Sequence, residues 1–342
     1  MVRVGIIGLG FMGRMHLENY QKHPEVKVVA VADTVSGKLK GDLSGGGNIP
    51  TEKDIFDFRG IRSYEKANEL IADKDVDLVV ICLPTYLHAR FTTKALEEGK
   101  HVLCEKPMAG SLEECDSMIE AAERTGRKLM IGQCLRFWPE YEVLKDYVEN
   151  GKMGRLISLF CFRGGETPTW SADNWLLQKD KGGGALLDQH IHDVDTINFL
   201  LGIPESVSSR GRNVIEGSGI DIISTNYYYP EGPVVNALDN WTLNGGFGFN
   251  MTYLAGFEKG NIVFDARQHP TIKVNLDEGK SFTPELSPGD GYSREIDYLL
   301  KGIIEDKPME RISPCSARDS VRIALAEMKS VEENRPVKLS EI

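Results

Sequence analysis

The sequence has no Cys-x-x-Cys pair, although it contains six cysteines. These cysteines lie far apart, at Cys82, Cys104, Cys115, Cys134, Cys161 and Cys315. Because zinc knuckles and redox dithiols use paired cysteines, this spacing gives no signal for either. Cys82 and Cys104 lie inside apolar runs, so we expect them to be buried and reduced, as in proteins of a reducing compartment.

Long apolar segments and a basic leader are also missing. No apolar run approaches the roughly 18 residues that a membrane-spanning helix needs. Met1 is followed directly by the strand-like run Val2–Ile7, without the basic region and cleavage site of a signal peptide. We therefore expect no membrane segment and a cytoplasmic location.

Basic residues are outnumbered, with 40 Lys and Arg against 51 Asp and Glu and a formal net charge of −11. An acidic chain repels the phosphate backbone, so we expect no nucleic-acid partner. A local basic pocket for one cofactor phosphate stays open. The length of 342 residues predicts about two domains.

Residues 1–132 alternate between short apolar runs and amphipathic segments. The predicted strands are Val2–Ile7, Val26–Ala32, Asp77–Leu83, His101–Cys104 and Lys128–Ile131. The predicted helices are Met12–Lys22, Tyr64–Ala72, His88–Glu98 and Leu112–Thr125. This alternation predicts an α/β domain with a doubly wound, parallel Rossmann sheet. From Ser36 to Arg59 the pattern is lost, and we expect a long surface connection with one short helix.

A glycine-rich turn lies between the first strand and the first helix, which is the context that the G-x-G-x-x-G fingerprint requires. Its residues are Gly8, Leu9, Gly10, Phe11, Met12 and Gly13. Such a turn lets a pyrophosphate approach the N–H groups at the helix N-terminus. Asp33 ends the next strand, 20 residues after Gly13, where a carboxylate binds ribose hydroxyls. The alternative for Asp33 is an ordinary turn residue that ends a strand.

The same aspartate bears on the choice of cofactor. A carboxylate at Asp33 would repel the 2′-phosphate of NADP, and the next residue is Thr34 rather than arginine. NAD is therefore favoured. Lys38 and Lys40 follow closely enough that NADP is not excluded.

Other strand ends carry further candidates, since ligands of such sheets bind beyond the carboxyl ends of the strands. These ends carry Pro84 and Thr85, then Glu105, Lys106 and Pro107, and finally Gln133. Lys106 could bind a substrate hydroxyl and favour the alkoxide as its proton leaves. The alternative is a solvated lysine before a proline that starts a helix.

A predicted helix from Ala185 to Leu201 carries the segment Asp188-Gln189-His190-Ile191-His192-Asp193. In an α-helix Asp188 and His192 share one face, where histidine suits a general base and aspartate can support it. His190 lies about 160° round the helix from His192, so the two should not chelate one metal. We expect no metal, and a structural hydrogen-bonding role for His190 on the side of Asp193.

Residues 133–342 have a different character, with several short strand-like runs separated by turns. The predicted strands are Leu156–Arg163, Ser206–Ile215, Asp221–Tyr229, Val234–Leu243, Phe247–Ala255, Asn261–Asp265 and Thr271–Leu276. The further predicted helices are Tyr141–Asn150, Arg294–Glu305 and Ala317–Asn334. They predict an α+β domain with a mostly antiparallel sheet. Trp170 and Trp175 could line a substrate or nicotinamide pocket or simply pack, and Arg136 could clamp a polar substrate or form a salt bridge.

Four segments together resemble the Gfo/Idh/MocA oxidoreductases, a family that includes glucose–fructose oxidoreductase and inositol dehydrogenases. They are the turn Gly8–Gly13, the run Leu83-Pro84-Thr85-Tyr86-Leu87-His88, Glu105-Lys106-Pro107, and Gly183-Gly184-Ala185-Leu186-Leu187-Asp188 with His192. The resemblance covers nearly the whole chain. It implies that Lys106, Asp188 and His192 form the catalytic group, with a cis bond before Pro107.

The same resemblance implies further contacts and partners. Leu83 and His88 would bind the cofactor, and Trp175 would lie near the nicotinamide. The second sheet would be open, with an exposed face that forms a homo-oligomer, either a dimer or a tetramer. One departure is His190, where the family commonly has glycine, which would narrow or polarise the pocket. The long connection after Asp33 is another.

The sequence therefore predicts an NAD(P)-dependent oxidoreductase acting on a secondary hydroxyl or ketone of a sugar, cyclic polyol or derivative. Two alternatives stay open. One is an NAD-dependent glycosidase or lyase that oxidises its sugar transiently. The other is a non-catalytic sensor that binds NAD(P), although a sensor is expected to lose the lysine or the histidine.

Overall fold

The computed structural model describes residues 1–47, 53–277 and 279–342. The chain forms two compact units. The first unit comprises residues 1–134, 169–175 and 292–318, and the second comprises 135–168, 176–291 and 319–342. Two segments from the later part of the chain thus group with the first unit, which the sequence pattern did not indicate.

The sheet of the first unit has six parallel strands in the order β3-β2-β1-β4-β5-β6. The strands are β1 Val2–Ile7, β2 Val26–Ala32, β3 Arg62–Tyr64, β4 Leu78–Ile81, β5 His101–Glu105 and β6 Leu129–Gly132. The predicted Rossmann topology is confirmed, since this strand order brings the ends of β1 and β4 together at the switch point. The apolar runs are buried because helices cover both faces of such a sheet.

Four helices connect these strands, as the alternation predicts. They are α1 Phe11–Lys22, α2 Ala67–Ile71, α3 His88–Glu97 and α4 Leu112–Thr125. The predicted helix Tyr64–Ala72 was wrong at its start, because Arg62–Tyr64 forms the edge strand β3. Three polar or aromatic residues at a sheet edge carry no apolar signal that would mark them as a strand.

The connection after β2 is long, as predicted. It contains a short 3₁₀ turn at Lys38–Lys40 and a single antiparallel bridge between Asp42 and Ile55. Part of the predicted connection, residues 48–52, lies outside the described residues.

The sheet of the second unit has nine strands in the order β14-β13-β12-β11-β7-β10-β9-β8-β15. They are β7 Leu156–Gly165, β8 Ser206–Arg212, β9 Ile222–Tyr228, β10 Val234–Asn240, β11 Phe249–Phe257, β12 Gly260–Asp265, β13 Ile272–Leu276, β14 Ser281–Phe282 and β15 Val337–Lys338. The β7–β10 pair is parallel, and the other pairs are antiparallel. The predicted mostly antiparallel sheet is confirmed.

Helices cover one face of this sheet with buried apolar side chains. The further α-helices of the described residues are α5 Pro139–Asn150, α6 Lys179–Gly182, α7 Ile191–Leu201, α8 Gly291–Ile304 and α9 Pro314–Glu333. The prediction of one α-helix over Ala185–Leu201 was incomplete, because a π-helix at Leu186–His190 precedes α7.

The six cysteines are free thiols. Cys104 is buried as predicted, whereas Cys82 is only partly buried. Among the described helices, none has the length and apolar character to cross a bilayer.

Candidate functional site

The turn between β1 and α1 has a shape that its glycines impose. Gly8 has φ +89°, and a Cβ at this position would lie 2.3 Å from the Cys82 carbonyl oxygen. A Cβ on Gly13 would lie 1.9 Å from the carbonyl oxygen of Gly8. No protein atom of the described residues lies within 4 Å of a Cβ on Gly10, which therefore faces open space. The turn thus packs α1 closely against β1 and leaves room where a pyrophosphate would approach.

The N-terminus of α1 is suited to an anion. Gly10 occupies the N-cap without a side-chain hydrogen bond, and the first turn contains no acidic residue. Phe11 and Met12 begin the helix, so their backbone N–H groups belong to the first turn. Such N–H groups and the positive end of the helix dipole stabilise phosphate charge.

Asp33 lies at the end of β2, next to this turn. Its Oδ2 accepts a hydrogen bond from the Leu9 N–H at 2.7 Å, and its Oδ1 accepts one from the Val35 N–H at 2.8 Å. The Lys38 ammonium lies 3.8 Å from Oδ2. A carboxylate has about four lone-pair sites, so Asp33 keeps acceptor capacity for ribose hydroxyls.

The connection after β2 packs on the glycine turn. The buried Arg14 guanidinium binds the Leu43 carbonyl at 3.1 Å and also the Asp54 carboxylate. A Cβ on Gly47 would lie 2.2 Å from the Phe11 ring. Sequence reasoning missed Arg14, because an arginine on a helix next to a glycine turn is ordinarily exposed.

The tryptophan segment meets the same connection. A Cβ on Gly46 would lie 2.7 Å from Trp170 Cβ. Trp170 and Trp175 are both partly buried and belong to the first unit, whereas the predicted boundary had placed them in the second. Their predicted contact with substrate or nicotinamide stays a prediction.

His88 joins the ends of two neighbouring strands of the first sheet. Its Nδ1 lies 2.8 Å from the Pro107 carbonyl oxygen, and its Nε2 lies 2.8 Å from the Leu83 carbonyl oxygen. Burial lowers the pKa of His88, and it outweighs the two carbonyl acceptors that favour the protonated ring. Both ring nitrogens already have partners, so His88 would not contact a cofactor through them. It would instead fix the backbone positions of Leu83 and Pro107 beside the cofactor. Thr85, in the turn after β4, is also buried.

Glu105 connects α1 to the backbone of Lys106. Its Oε1 lies 2.7 Å from His16 Nε2, and its Oε2 accepts a hydrogen bond from the Lys106 N–H at 3.2 Å. Burial alone would raise the pKa of Glu105, but the His16 hydrogen bond and the nearby positive charges lower it below its usual range. Lys106 is partly exposed, and the predicted cis bond to Pro107 is confirmed.

The His16–Glu105 pair also has a neighbour on α8. Ligand atoms of His16, Glu105 and Glu295 lie within 4.8 Å of one another. All three side chains are buried, and sequence reasoning missed this group because its members are far apart in the chain. The expected absence of a metal stays a prediction.

Gln133 follows β6 and is 1% exposed. Within the part of the chain that the structure describes, neither amide atom of Gln133 has a hydrogen-bond partner. Buried amides in proteins usually have partners. Together with the open space at Gly10, this amide fits the predicted dinucleotide.

The candidate acid–base residues of the second unit lie in or just after the π-helix at Leu186–His190, and they differ in exposure. Asp188 and His192 are partly exposed, whereas His190 and Asp193 are buried. This exposure pattern agrees with the predicted division into two faces, although the α-helical spacing used to predict it does not hold at Asp188. The predicted proximity of Asp188 and His192 stays a prediction. π-helical turns occur frequently at functional sites.

His190 points away from solvent, with none of its surface exposed. Its Nε2 lies 3.1 Å from Glu327 Oε2 and 3.3 Å from the Tyr227 hydroxyl. The expectation that His190 narrows a pocket was therefore wrong, whereas its polarising effect stays a prediction. Its predicted structural hydrogen-bonding role is confirmed by the Tyr227 hydroxyl. The buried Glu327 carboxylate on α9 attracts the imidazole ring, which explains why the His190 side chain points inward.

Arg136 was predicted as a substrate clamp or as a surface salt bridge, and it does form a salt bridge, although this pair is buried rather than at the surface. Its guanidinium donates to both carboxylate oxygens of Asp195, at 2.8 and 2.7 Å, and both side chains are buried. The Ser320 hydroxyl donates to the same carboxylate at 2.7 Å. Arg136 lies in the 3₁₀ turn Cys134–Phe137, just before α5, and therefore holds this turn and the helix α7 together.

The chain matches known proteins along most of its length. Residues 2–133 match the oxidoreductase family with an NAD-binding Rossmann fold, Gfo/Idh/MocA, and residues 141–263 match the C-terminal domain of the same family. The 1,5-anhydro-D-fructose reductase of Ensifer adhaerens is 30% identical over 301 residues, which cover 86% of this chain and 86% of the reductase.

The chain is also similar to a second curated enzyme and to a solved structure. The 2,7-anhydro-N-acetylneuraminate hydratase of Escherichia coli (strain K12) is 28% identical over 277 residues, or 78% of this chain and 68% of the hydratase. Levoglucosan dehydrogenase in complex with NADH and levoglucosan has a TM-score of 0.83 at 23% identity, with 99% of each chain covered. At this identity the structural similarity shows the shared fold.

Proposed function

Because the chain belongs to the Gfo/Idh/MocA family of oxidoreductases, we propose that it is an NAD(P)-dependent oxidoreductase of sugars, cyclic polyols or their derivatives. The reaction interconverts a secondary hydroxyl and a ketone by hydride transfer. Relatives named for an anhydrofructose and for levoglucosan support this class of substrate.

The cofactor would be held by the turn Gly8–Gly13 and by Asp33. The N–H groups of the first turn of α1 would bind the pyrophosphate, and the Asp33 carboxylate would accept hydrogen bonds from ribose hydroxyls. Leu83, Pro84, Thr85, Glu105, Lys106, Gln133 and Trp175 would surround the nicotinamide half. When bound, the nicotinamide accepts or returns the hydride.

His192 is proposed as the general base that takes the hydroxyl proton at a ring nitrogen. Asp188 would support that charge as it forms on the imidazole ring. The Lys106 ammonium would donate a hydrogen bond to the same substrate oxygen and stabilise its developing negative charge. Returning the proton from His192 to a ketone oxygen would run the reaction in the opposite direction.

One observation carries this assignment most directly. Asp188 and His192 are partly exposed on a turn whose neighbours His190 and Asp193 are buried. The two groups that suit proton transfer are thus the ones that a substrate could reach. Lys106 is also partly exposed, and its backbone is held by Glu105.

A substrate panel tests the proposal. The purified protein is incubated with NAD or NADP and with myo-inositol, levoglucosan, 1,5-anhydro sugars and simple hexoses, while reduced nicotinamide is followed by absorbance. We expect net reduced cofactor with at least one cyclic polyol or anhydro sugar. Cofactor binding without any change in any sugar would instead support the sensor alternative and contradict the proposal.

A second candidate function is favoured by the similarity to the anhydro-sugar hydratase of E. coli. In this alternative the sugar is oxidised and reduced again within one turnover, as in the NAD-dependent lyase or glycosidase hypothesis. The panel distinguishes the two functions when products are analysed by mass spectrometry. A hydrated or cleaved sugar with no net reduced cofactor would favour this second candidate.

Cofactor preference should depend on Asp33. We predict that Asp33→Ser raises the ratio of NADP to NAD efficiency, expressed as kcat/KM, by about 10- to 100-fold, because hydrogen bonds to a charged group contribute about 1.5–3 kcal/mol. The Lys38 ammonium, 3.8 Å from Asp33, would then be available to a 2′-phosphate.

The control for this variant is Asp42→Ser, which removes an exposed carboxylate from the same connection. Steady-state kinetics with both cofactors should show an unchanged preference in the control. An unchanged preference in Asp33→Ser as well would contradict the role of Asp33.

We also propose that the chain forms a homo-oligomer, a dimer or a tetramer, through the exposed face of the nine-stranded sheet. Phe160, Leu254 and Val263 lie directly opposite one another on β7, β11 and β12. They are 42%, 44% and 39% exposed. A contiguous row of exposed apolar side chains is a typical protein-interaction surface.

Leu254→Glu should break this interface. Burying the new carboxylate against a second copy would cost more than the contact gains, so we expect monomers by light scattering after size exclusion. The matched control is Val214→Glu, which changes an exposed valine outside the strands. An unchanged mass for Leu254→Glu would exclude this face as the interface.

The cellular location is proposed on the basis of the cysteines. All six are free thiols, which fits a reducing compartment such as the cytoplasm.

A further inference from the structure

We propose that the buried pair of His190 and Glu327 is a positioning element that holds the π-helical turn so that His192 and Asp188 keep their placement. The inference rests on the proposed function, in which these two residues transfer the proton. His190 and Glu327 themselves touch neither substrate nor cofactor in this account.

The pair joins the end of the π-helix to α9. His190 Nε2 lies 3.1 Å from Glu327 Oε2, and the Tyr227 hydroxyl lies 3.3 Å from the same nitrogen. The His190 and Glu327 side chains have no exposed surface, and Tyr227 is 4% exposed. Fully buried side chains in a close-packed interior have little room to move, so this contact can fix the position of the turn.

The start of the turn is fixed by close backbone packing. Gly184 has φ +73°, and a Cβ on it would lie 2.8 Å from the backbone N and O of Ile220. The loop that contains Ile220 is held by the buried Asp221. This carboxylate accepts hydrogen bonds from the Val214 N–H, the Ile215 N–H and Trp241 Nε1, at 2.6, 2.8 and 2.7 Å.

The residue after His192 is anchored as well. The Asp193 carboxylate accepts hydrogen bonds from Arg163 Nη2 at 3.0 Å and from Arg163 Nε at 3.2 Å, and both side chains are buried. His192 therefore lies between two buried charged pairs, one at position 190 and one at position 193. Each pair connects this short segment to a different element, α9 or β7.

Electrostatics favours a charged His190–Glu327 pair. Burial alone would lower the pKa of His190, but the carboxylates of Glu327, Asp239 and Asp193 together outweigh burial and raise this pKa. The other charged or titratable groups that act on the ring are Asp239 and Asp193, and burial raises the pKa of Asp239 well above its usual range. The pair is neutral as a whole, so its main effect on His192 is geometric.

The expected consequence follows from the strict geometry of proton transfer. A displacement of about 1 Å in a catalytic group costs about 100-fold in rate. Glu327→Gln keeps the shape of the side chain but removes its charge, so the ring of His190 loses its counter-ion. We expect kcat with the best substrate of the panel to fall by about 10- to 100-fold while both KM values change by less than about twofold.

Tyr227→Phe is a milder second variant, since it removes only the hydroxyl next to His190. We expect a smaller fall in kcat, again with nearly unchanged KM values.

The matched control is Ile323→Ala, which creates a cavity one turn before Glu327 on α9, at a residue that is likewise fully buried. If the three variants lose similar thermal stability but only the first two lose kcat, the pair positions the turn. Equal kcat values in Glu327→Gln and the control would overturn the proposal.

A spectroscopic measurement separates this inference from the proposed function. The ring signals of His192 in protein with ¹³C-labelled histidine can be assigned by their absence in His192→Ala. We expect these signals to shift in Glu327→Gln and to stay in place in Ile323→Ala. Unmoved signals in Glu327→Gln would overturn the positioning role, whereas shifted signals in a protein that converts no sugar would overturn only the proposed function.

Discussion

Replacing His192 with alanine is expected to lower kcat for sugar oxidation by about 10²- to 10⁴-fold, the usual contribution of a positioned general base. His192 is partly exposed on α7, and its backbone carbonyl accepts a hydrogen bond from the Thr196 hydroxyl at 2.9 Å. The substitution leaves the first unit unchanged, so the Kd for NADH should change by less than about twofold. Stopped-flow kinetics and fluorescence titration with NADH measure the two quantities.

A suitable control is His23→Ala. His23 lies in the first unit and pairs with the Asp297 carboxylate at 3.1 Å, so it has the same chemistry but no role in the proposed reaction. We expect its kcat to stay within about twofold of the original protein. If His192→Ala also kept its kcat, the assignment of the general base would be wrong and another group would have to take the proton.

The second large effect concerns the glycine turn. Here one substitution should lower folding stability, whereas another should weaken the binding of NADH. Gly13→Ala would place a Cβ 1.9 Å from the Gly8 carbonyl oxygen, so we expect a loss of at least about 2 kcal/mol of folding stability. Gly10→Ala would place its Cβ in open space, so folding stability should not change. Its methyl group would occupy the approach of the pyrophosphate, and the Kd for NADH should rise by about 10- to 100-fold.

Thermal unfolding and NADH titration of both variants test this contrast. Gly37→Ala is the control, because a Cβ there also meets no described protein atom within 4 Å and the φ of Gly37 is −60°. We expect this control to keep both its stability and its affinity. NADH affinity that is unchanged in Gly10→Ala would show that the cofactor does not approach the turn at this point.

The sequence was most informative where apolar runs and glycine turns determine local structure. The run Val2–Ile7 is buried in the sheet, so its composition alone distinguishes it from a surface segment. The edge strand Arg62–Tyr64 was missed because its residues are exposed or only partly buried and carry no such pattern. The start of the π-helix could not be predicted, because its residues also suit an α-helix and tertiary packing decides between them.

In the candidate site, too, some features followed from local sequence patterns and others depend on tertiary packing. The separation of His190 from His192 followed from helical periodicity, whereas the α-helical spacing assumed for Asp188 does not hold in the π-helix. The pairing of Arg136 with Asp195 joins residues 59 positions apart, and no local pattern indicates it. Long-range buried pairs of this kind are determined by the tertiary fold, so a single sequence leaves their partners open.

Transfer of a labelled hydrogen would show whether the protein moves a hydride from the sugar to the nicotinamide. A sugar or cyclic polyol that is converted in the panel is prepared with deuterium on the carbon that carries the reacting hydroxyl. It is incubated with the protein and NAD, and the cofactor is analysed by mass spectrometry during turnover. We expect deuterium on the nicotinamide ring, whether the sugar is oxidised with net reduction of the cofactor or only transiently. Conversion of the sugar with all of the deuterium retained on its original carbon, and none ever found on the cofactor, would contradict this expectation.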